Sequence, residues 1–286
     1  MSNQNDNKGI LFILATPIGN LKDITLRAIE TLQEVDLIAA EDTRRTKLLL
    51  TQLNIKKPMI SYHDHNEESQ IPQIMKKLLQ GQQIALVSDA GTPLISDPGF
   101  KLVLKCSEYG IKVSPIPGPS ALIAALSVSG LPTSSFKFEG FLPRKKALRE
   151  KHIEKLQEEL STLIFYESSH RIEATLNDLG NILGLNRKAV VARELTKLHE
   201  TIIYGDIGSI LSNITSNNEQ KKGEFVILVA GKEEILIKNN DSLDFILPIL
   251  MKDLSVRQAA HLAAKLTGAN KNYVYECALK IKKSML

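Results

Sequence analysis

Two short apolar runs, each ending in a loop of small residues, constrain this chain more than any other feature. Residues 84–87 read IALV and lead into SDAGTPLISDPG; residues 111–113 read IKV and lead into SPIPGPSA. Branched runs of this length bounded by Gly and Pro are buried strands, so each ends in a turn. Ala90, Gly91, Thr92 and Pro93, and again Pro117, Gly118, Pro119, Ser120 and Ala121, let a flat ligand approach the backbone and offer it amide groups. In an open α/β sheet, ligands lie on loops at the carboxyl ends of strands, so these loops are the expected floor of a ligand site.

From Ile10 to Val113 strand-like segments (ILFILA, VDLIAA, PMISY) alternate with helix-like ones (ITLRAIETLQ, TRRTKLLLTQL), the pattern of a parallel sheet with crossover helices. A first α/β domain is expected at residues 9–130, with the turn-rich stretch 130–135 as a connection. Beyond it come KFEGFL, a charged helix over 145–159, TLIFYE, a second helix, AVVARELTK, ETIIYG and EFVILVAG. More strands and fewer crossovers imply a mixed sheet in a second α/β domain at residues 131–231. The polar stretch 232–242 reads as a linker, and residues 243–286 are helical in character. There Ser255 and Gln258 make a capping box and Gly268 a C-terminal stop. Val256, Ala259, Ala260, Ala263 and Leu266 form a narrow Ala-rich face, followed by a turn and a helix carrying Val274, Cys277, Ala278 and Ile281, a helix-turn-helix-like pattern.

Length and composition exclude several classes. A chain of 286 residues suits two domains with a small third element. Net charge is +4 and the pI near 8.9, with Lys and Arg unevenly spread, which favours an anionic partner. Cys106 and Cys277 are the only cysteines, so there is no disulfide framework or zinc ribbon, and a reducing cytoplasm is expected. The polar N-terminus is unlike a signal peptide, and the strongest apolar run, 121–128, is too short to span a membrane.

The loop Thr16, Pro17, Ile18, Gly19 and Asn20 follows ILFILA and precedes a helix for which Asp23 is the expected cap. It lacks the further glycines of a dinucleotide fingerprint, and no GxxxxGK[ST] phosphate loop exists, which weakens NAD and ATP readings. Together, TPIGNLKDITLRAIETL, AEDTRRT, SYHDHNE, VSDAGTPLISDPG, PIPGPSA, FEGFLPRKK, FYESSHR and ARELTKLHE, in this order and spacing, resemble the ribosomal RNA small subunit methyltransferase I family. That family belongs to the tetrapyrrole-methylase-type, or class III, S-adenosylmethionine methyltransferases. The resemblance covers residues 9–231 continuously, and the C-terminal helices resemble the extension that many members carry. It implies two α/β domains of the tetrapyrrole methylase type, a homodimer, and 2′-O-methylation of a cytidine in the decoding region of 16S ribosomal RNA or the small ribosomal subunit.

The cofactor contacts implied by the resemblance fall on Pro17, on Ala90, Gly91, Thr92 and Ile95, and on Ser120 and Ala121, with Glu167 and Lys197 from the second domain. Where tetrapyrrole enzymes generally carry an acidic residue after a glycine pair, this chain has Thr92. The departure fits the ribosomal branch and disfavours a corrin acceptor. A sugar hydroxyl profits from a general base, and the candidates are Glu167, His170, His199, Glu200 and Asp42, which the sequence does not rank. An ion pair with Arg171 is the plain alternative for Glu167. Asp97 and Asp23 read as helix caps.

His63, Asp64, His65 and Glu67 do not follow a zinc spacing, and a polar loop at the cleft mouth touching RNA is the better reading, so no metal is expected. Arg144, Lys145, Lys146, Arg149 and Lys151 place five cations in eight positions, and Arg44, Arg45 and Lys47 form a second cluster. Both are expected to meet RNA phosphates. Arg257, Lys265, Lys271, Lys280, Lys282 and Lys283 serve equally as RNA contacts or as the surface of a packed helical cap or dimer element. The competing functions are another class III methyltransferase with a tetrapyrrole or protein acceptor, and a non-catalytic RNA-binding assembly factor.

Overall fold

The computed structural model describes residues 8–232 and 239–284, which form two compact units on either side of the break. The first unit opens with five parallel strands, β1 (Ile10–Leu14), β2 (Leu37–Ala40), β3 (Met59–Ser61), β4 (Ile84–Val87) and β5 (Lys112–Ile116), in the order β3-β2-β4-β1-β5. β2 and β4 are buried along their whole length because helices cover both faces of the sheet. On one face α1 (Leu26–Glu34) and α2 (Thr43–Gln52) bring Leu32 and Leu50 against Leu14, Ile38 and Val87. On the other α3 (Glu67–Leu79) and α4 (Phe100–Glu108) bring Ile74 and Leu102 against Leu11, Ala39 and Leu86. β5 lies at the edge, where Pro115 is tolerated. Because every strand points the same way, the loops that follow β1, β2, β4 and β5 open at one end of the sheet.

Residues 129–135 lead to a second, mixed sheet built from β6 (Phe136–Phe141), β7 (Thr162–Ser168), β8 (Lys188–Arg193), β9 (Thr201–Asp206) and β10 (Glu224–Val229), ordered β6-β7-β10-β8-β9. β6 and β7 are parallel, and the remaining pairs are antiparallel. Strand alternation divides its side chains between two faces. Leu163, Phe165, Val191 and Ile227 face the helix layer of α6 (Lys146–Glu154), α7 (Ile172–Leu183) and α8 (Ile207–Ser216). Ile164, Val190, Val226 and Leu228 pack on Leu122, Ala125 and Leu126 of α5 (Ala121–Val128), which follows β5, so a helix of the first half seals the inner face of the second sheet.

The second unit contains α9 (Asn239–Leu250), α10 (Val256–Thr267) and α11 (Lys271–Ser284) around Leu243, Leu247, Ala260, Ala263, Val274 and Ala278. Ser255 and Gln258 form their capping box, and Gly268 ends α10 at φ +68°.

Several expectations need correction. Asp23 does not cap α1; it ends a short turn, and Thr25 Oγ1 takes the Ala28 N–H at 3.2 Å. Asp97 does not cap α4, whose N-cap position is Gly99. The strand expected at 111–113 runs on to Ile116, and the charged helix stops at Glu154. α8, with Ile207, Ile210 and Ile214 inward and Asp206 in a capping box with Ser209, was not expected between β9 and β10. Leu266 is 68% exposed, since Ala264 takes the inward position beside Ala260 and Ala263. Of the linker expected at 232–242, residues 233–238 lie outside the described residues and residues 239–242 are helical.

Candidate active site

The loops after β1, β4 and β5 are fastened to one another by backbone contacts that only small residues permit. The Thr16 N–H donates to the Gly91 carbonyl at 2.8 Å, and the Gly91 N–H returns to Thr16 at 2.9 Å. Gly91 holds φ +84°, and a Cβ there would press on Ile18 at 3.4 Å. Thr92 Oγ1 donates to the Pro119 carbonyl at 3.1 Å, and a Cβ on Gly118 would stand 3.0 Å from that of Ala15. Across the gap the Tyr166 hydroxyl on β7 accepts the Leu122 N–H at 3.1 Å, tying the start of α5 to the second sheet. These fastenings enclose a cleft of about 350 Å³ between the loop ends of the first sheet and the inner face of the second. Ile18, Gly91, Thr92 and Ser120 wall it on one side, Phe141, Tyr166, Ala192 and Val226 on the other. Its volume falls in the range of about 300–1,000 Å³ usual for small-molecule sites.

One end of the cleft is acidic. Glu41, Asp89 and Asp97 line it with a single cation, Arg45, whose Nε lies 3.5 Å from Asp89 Oδ2. Main-chain contacts hold the group: the Asp42 N–H donates to Asp89 Oδ1 at 3.0 Å, and the Asp89 N–H to Glu41 Oε2 at 3.1 Å. Burial raises the Glu41 and Asp89 carboxyls above their ordinary values. Asp97 goes further, to about 7, because burial and then the Glu41 charge disfavour its anion more than the nearby Ser88 hydroxyl helps it. The backbone delivering it is strained, with Leu94 at φ 72° and Ser96 at φ 70°. Three carboxylates against one guanidinium make this wall complementary to a cationic ligand.

Residues 11–211 match the family of Tetrapyrrole (Corrin/Porphyrin) Methylases, and residues 239–282 match the RsmI C-terminal HTH domain. The ribosomal RNA small subunit methyltransferase I of Haemophilus influenzae is 49% identical over 278 residues, covering 96% of this chain and 98% of its own. That of Escherichia coli O157:H7 is 49% identical over 278 residues, covering 96% of each. The chain belongs to the ribosomal RNA small subunit methyltransferase I family. Among solved structures, a uroporphyrin-III-C-methyltransferase from Thermus thermophilus superposes with a TM-score of 0.53 at 16% identity, over 78% of this chain and 94% of its own. A cobalt precorrin-4 methyltransferase does so with 0.53 at 16%, over 80% and 98%. Both share the fold, two α/β sheets facing each other across a cleft, which the sequence motifs imply.

In this methyltransferase, Ala90, Gly91, Thr92, Ile95, Ser120 and Ala121 all reach the cleft wall. Pro17 does not, its place being taken by Ile18, and neither does Lys197. The Lys197 ammonium bridges Glu194 and Glu224 at 2.9 Å each, while its stem fills the space beside Gly19, where a Cβ would lie 2.4 Å from Lys197 Cγ. Glu167 touches the cleft, but its carboxylate turns into the helix layer. Oε1 accepts the Ser168 N–H at 2.8 Å, and Oε2 accepts Thr175 Oγ1 at 2.6 Å and faces Arg171 at 3.2 Å. Those partners engage both carboxylate oxygens. His170 and His199 are exposed and off the cleft wall, and His199 contributes its carbonyl to Arg193 and Thr201. Asp42 caps α2 and pairs with Arg44 at 2.7 Å, and Glu200 accepts the Thr196 N–H.

The basic clusters also divide. Arg44 and Arg45 are exposed, Arg45 on the cleft wall. Arg144, Lys145 and Lys146 are exposed at the start of α6. Arg149 is not available to RNA: it is buried and ion-paired with Asp178 at 2.7 Å, and its Nη1 donates to the Arg144 carbonyl at 3.4 Å. Glu67 of the histidine-bearing loop is likewise occupied, accepting the Tyr62 hydroxyl at 2.8 Å. Glu41, Asp89, Asp97, Phe141 and Tyr166 are among the cleft residues that sequence reasoning missed as site residues.

Proposed function

We propose that this protein transfers the methyl group of S-adenosylmethionine to the ribose 2′-hydroxyl of a cytidine in the decoding region of 16S ribosomal RNA. The observation that carries the reading is the union, in one cleft, of loops fastened through Gly91 and Gly118 with a carboxylate wall that suits a positively charged ligand. When bound, that donor supplies a methyl group already activated on a cationic sulfur. The protein's task is then chiefly positioning, which removes about 7–11 kcal/mol of barrier when the partners are well aligned. Thr92, Ser120 and the amides around Gly91 orient the donor, while Tyr166 and Ala192 close the far wall against water. Asp97 is the cleft carboxyl suited to accept the hydroxyl proton, since Asp89 is ion-paired, Glu41 is engaged by the Asp89 N–H and Glu167 is turned away.

The polynucleotide is read as lying over the Phe141 edge, where Arg144, Lys145 and Lys146 follow directly in the chain. Replacing those three by Ala is expected to flatten the dependence of log affinity on log salt by about 2, at roughly 0.7–0.9 per lost phosphate contact. An unchanged slope contradicts the assignment. Cytoplasmic action and a homodimer belong to the same reading; among the described residues no helix is long and apolar enough to cross a membrane.

The reaction is tested by incubating the protein with methyl-labelled donor and small subunits lacking the modification, then digesting the RNA to nucleosides. Label on the ribose oxygen of cytidine is expected. Label on a base, or on ribosomal protein, refutes the reaction while leaving the fold as it is.

A further inference from the structure

The geometry points to Phe141 as the platform on which a nucleobase of the RNA substrate stacks beside the cleft, an inference that rests on the reading above. Phe141 ends β6 and is 56% exposed, yet it belongs to the cleft wall. Strand alternation alone would not put it there. Phe138 and Phe141 are three positions apart and in a regular strand would face opposite sides of the sheet. Between them the pairing with β7 slips: Phe138 lies opposite Ile164, Gly140 opposite Phe165 and Phe141 opposite Tyr166. The irregularity inserts one residue, and Gly140 absorbs the turn at φ +63°. Phe138 and Phe141 thereby come to the same side, each edge-on to Tyr166 with ring centroids 4.9 and 5.7 Å away.

The device is held rigid from both directions. Glu139, the residue bulged out, is gripped by His152 of α6 at 2.6 Å and by Lys137 at 2.9 Å. Just beyond Phe141, the Arg171 guanidinium donates to the Leu142 and Pro143 carbonyls at 2.7 and 3.3 Å. An exposed aromatic so fixed borders the cleft, and the Arg144-Lys145-Lys146 run begins three residues on in the chain. Single-stranded RNA is bound by that pairing of an aromatic face with backbone-tracking cations, and stacking on an aromatic face tolerates any base. The occupant favoured is therefore a nucleobase at or next to the target cytidine. The cations beside the ring have no use for the apolar surface of another protein.

The test compares wild type with Phe141→Leu, which keeps apolar bulk without a π face, and Phe141→Trp, which keeps the face. With donor saturating, Phe141→Leu is expected to raise KM for unmodified small subunits about tenfold or more, the scale of loss when one base no longer stacks on an aromatic face. Phe141→Trp should recover most of that loss, and donor affinity measured by titration calorimetry should change far less than KM does in Phe141→Leu. A target-site RNA oligonucleotide carrying 2-aminopurine beside the cytidine should show fluorescence quenching with wild type and Phe141→Trp but not with Phe141→Leu. Equal KM and quenching for Phe141→Leu and wild type overturns the inference. So does a loss confined to donor affinity, which would place the donor's adenine on the ring, or a change of oligomeric state in sedimentation, which would make Phe141 a contact between copies. Failure of the wild-type protein to methylate RNA at all would instead sink the underlying reading.

Discussion

Asp97→Asn is expected to lower kcat by about 10²–10⁴-fold, the usual contribution of a general base, while donor affinity at neutral pH changes much less. The pH dependence follows from the environment of the carboxyl. Glu41 after β2, Asp64 after β3 and Asp89 after β4 all raise its pKa beyond what burial does alone, Ser88 opposes them, and Tyr166 of β7 and Arg45 of α2 line the same space. With the free group at about 7, Asp97 is mostly protonated at pH 6 and mostly anionic at pH 8. The wild-type kcat/KM should therefore climb through neutrality and level off above it, and the asparagine variant should lose that inflection. A stability measurement reads the same group independently of activity. Its folded pKa lies above the unfolded value near 3.8, so the native state binds more protons between the two and stability falls as pH rises from about 4 to 7. Asp97→Asn should then melt higher than wild type at pH 8 and not at pH 4. An inflection that survives the substitution contradicts the assignment.

Arg149→Ala is expected to destabilise the first unit by about 3–5 kcal/mol, because it strands a buried carboxylate. The side chains of Arg149 and Asp178 are only 6% and 2% exposed; the guanidinium Nε donates to Asp178 Oδ2 at 2.7 Å, and Nη2 lies 2.7 Å from the same oxygen. Asp178→Ala should cost a similar amount. Replacing both together with Met and Leu should recover most of the loss, since an apolar pair of like volume often matches a buried ion pair. Thermal or denaturant unfolding of the four proteins measures this directly. A melting point unmoved by Arg149→Ala, together with a shallower salt dependence of RNA binding, would return Arg149 to the surface role that local composition suggests.

Arg149 illustrates where the sequence stops being legible. It lies in a run of five cations in eight positions, and the acid that pairs with it lies on α7, 29 residues on. Asp97 was hidden for the same reason. Beside Gly99 it resembles an ordinary helix cap, and its raised pKa arises first from burial and then from carboxylates on loops that meet only once the order β3-β2-β4-β1-β5 is formed. The Phe141 face depended on a bulge at Gly140, and a glycine within KFEGFL signals that bend only weakly. The strands themselves could be read because IALV and LIAA are buried on both faces and need no polar alternation. The loops after β4 and β5 could be read because Gly91 holds a left-handed φ of +84° and Gly118 sits where an added Cβ would stand only 3.0 Å from that of Ala15. α8 escaped because Ser and Asn fill its exposed positions, leaving three isoleucines, the half-buried Leu211 and the Asp206–Ser209 capping pair as its signature.

The account rests on the cleft between the two sheets being the seat of the methyl donor, and a crystal of the full chain grown with S-adenosylmethionine tests this most directly. The donor is expected against Gly91, Thr92, Ser120 and Ala121 on one side and Tyr166 and Ala192 on the other, with its positive charge toward Asp89 and Asp97. A donor found outside that cleft, or crystals that leave the cleft empty at saturating concentration, would contradict it.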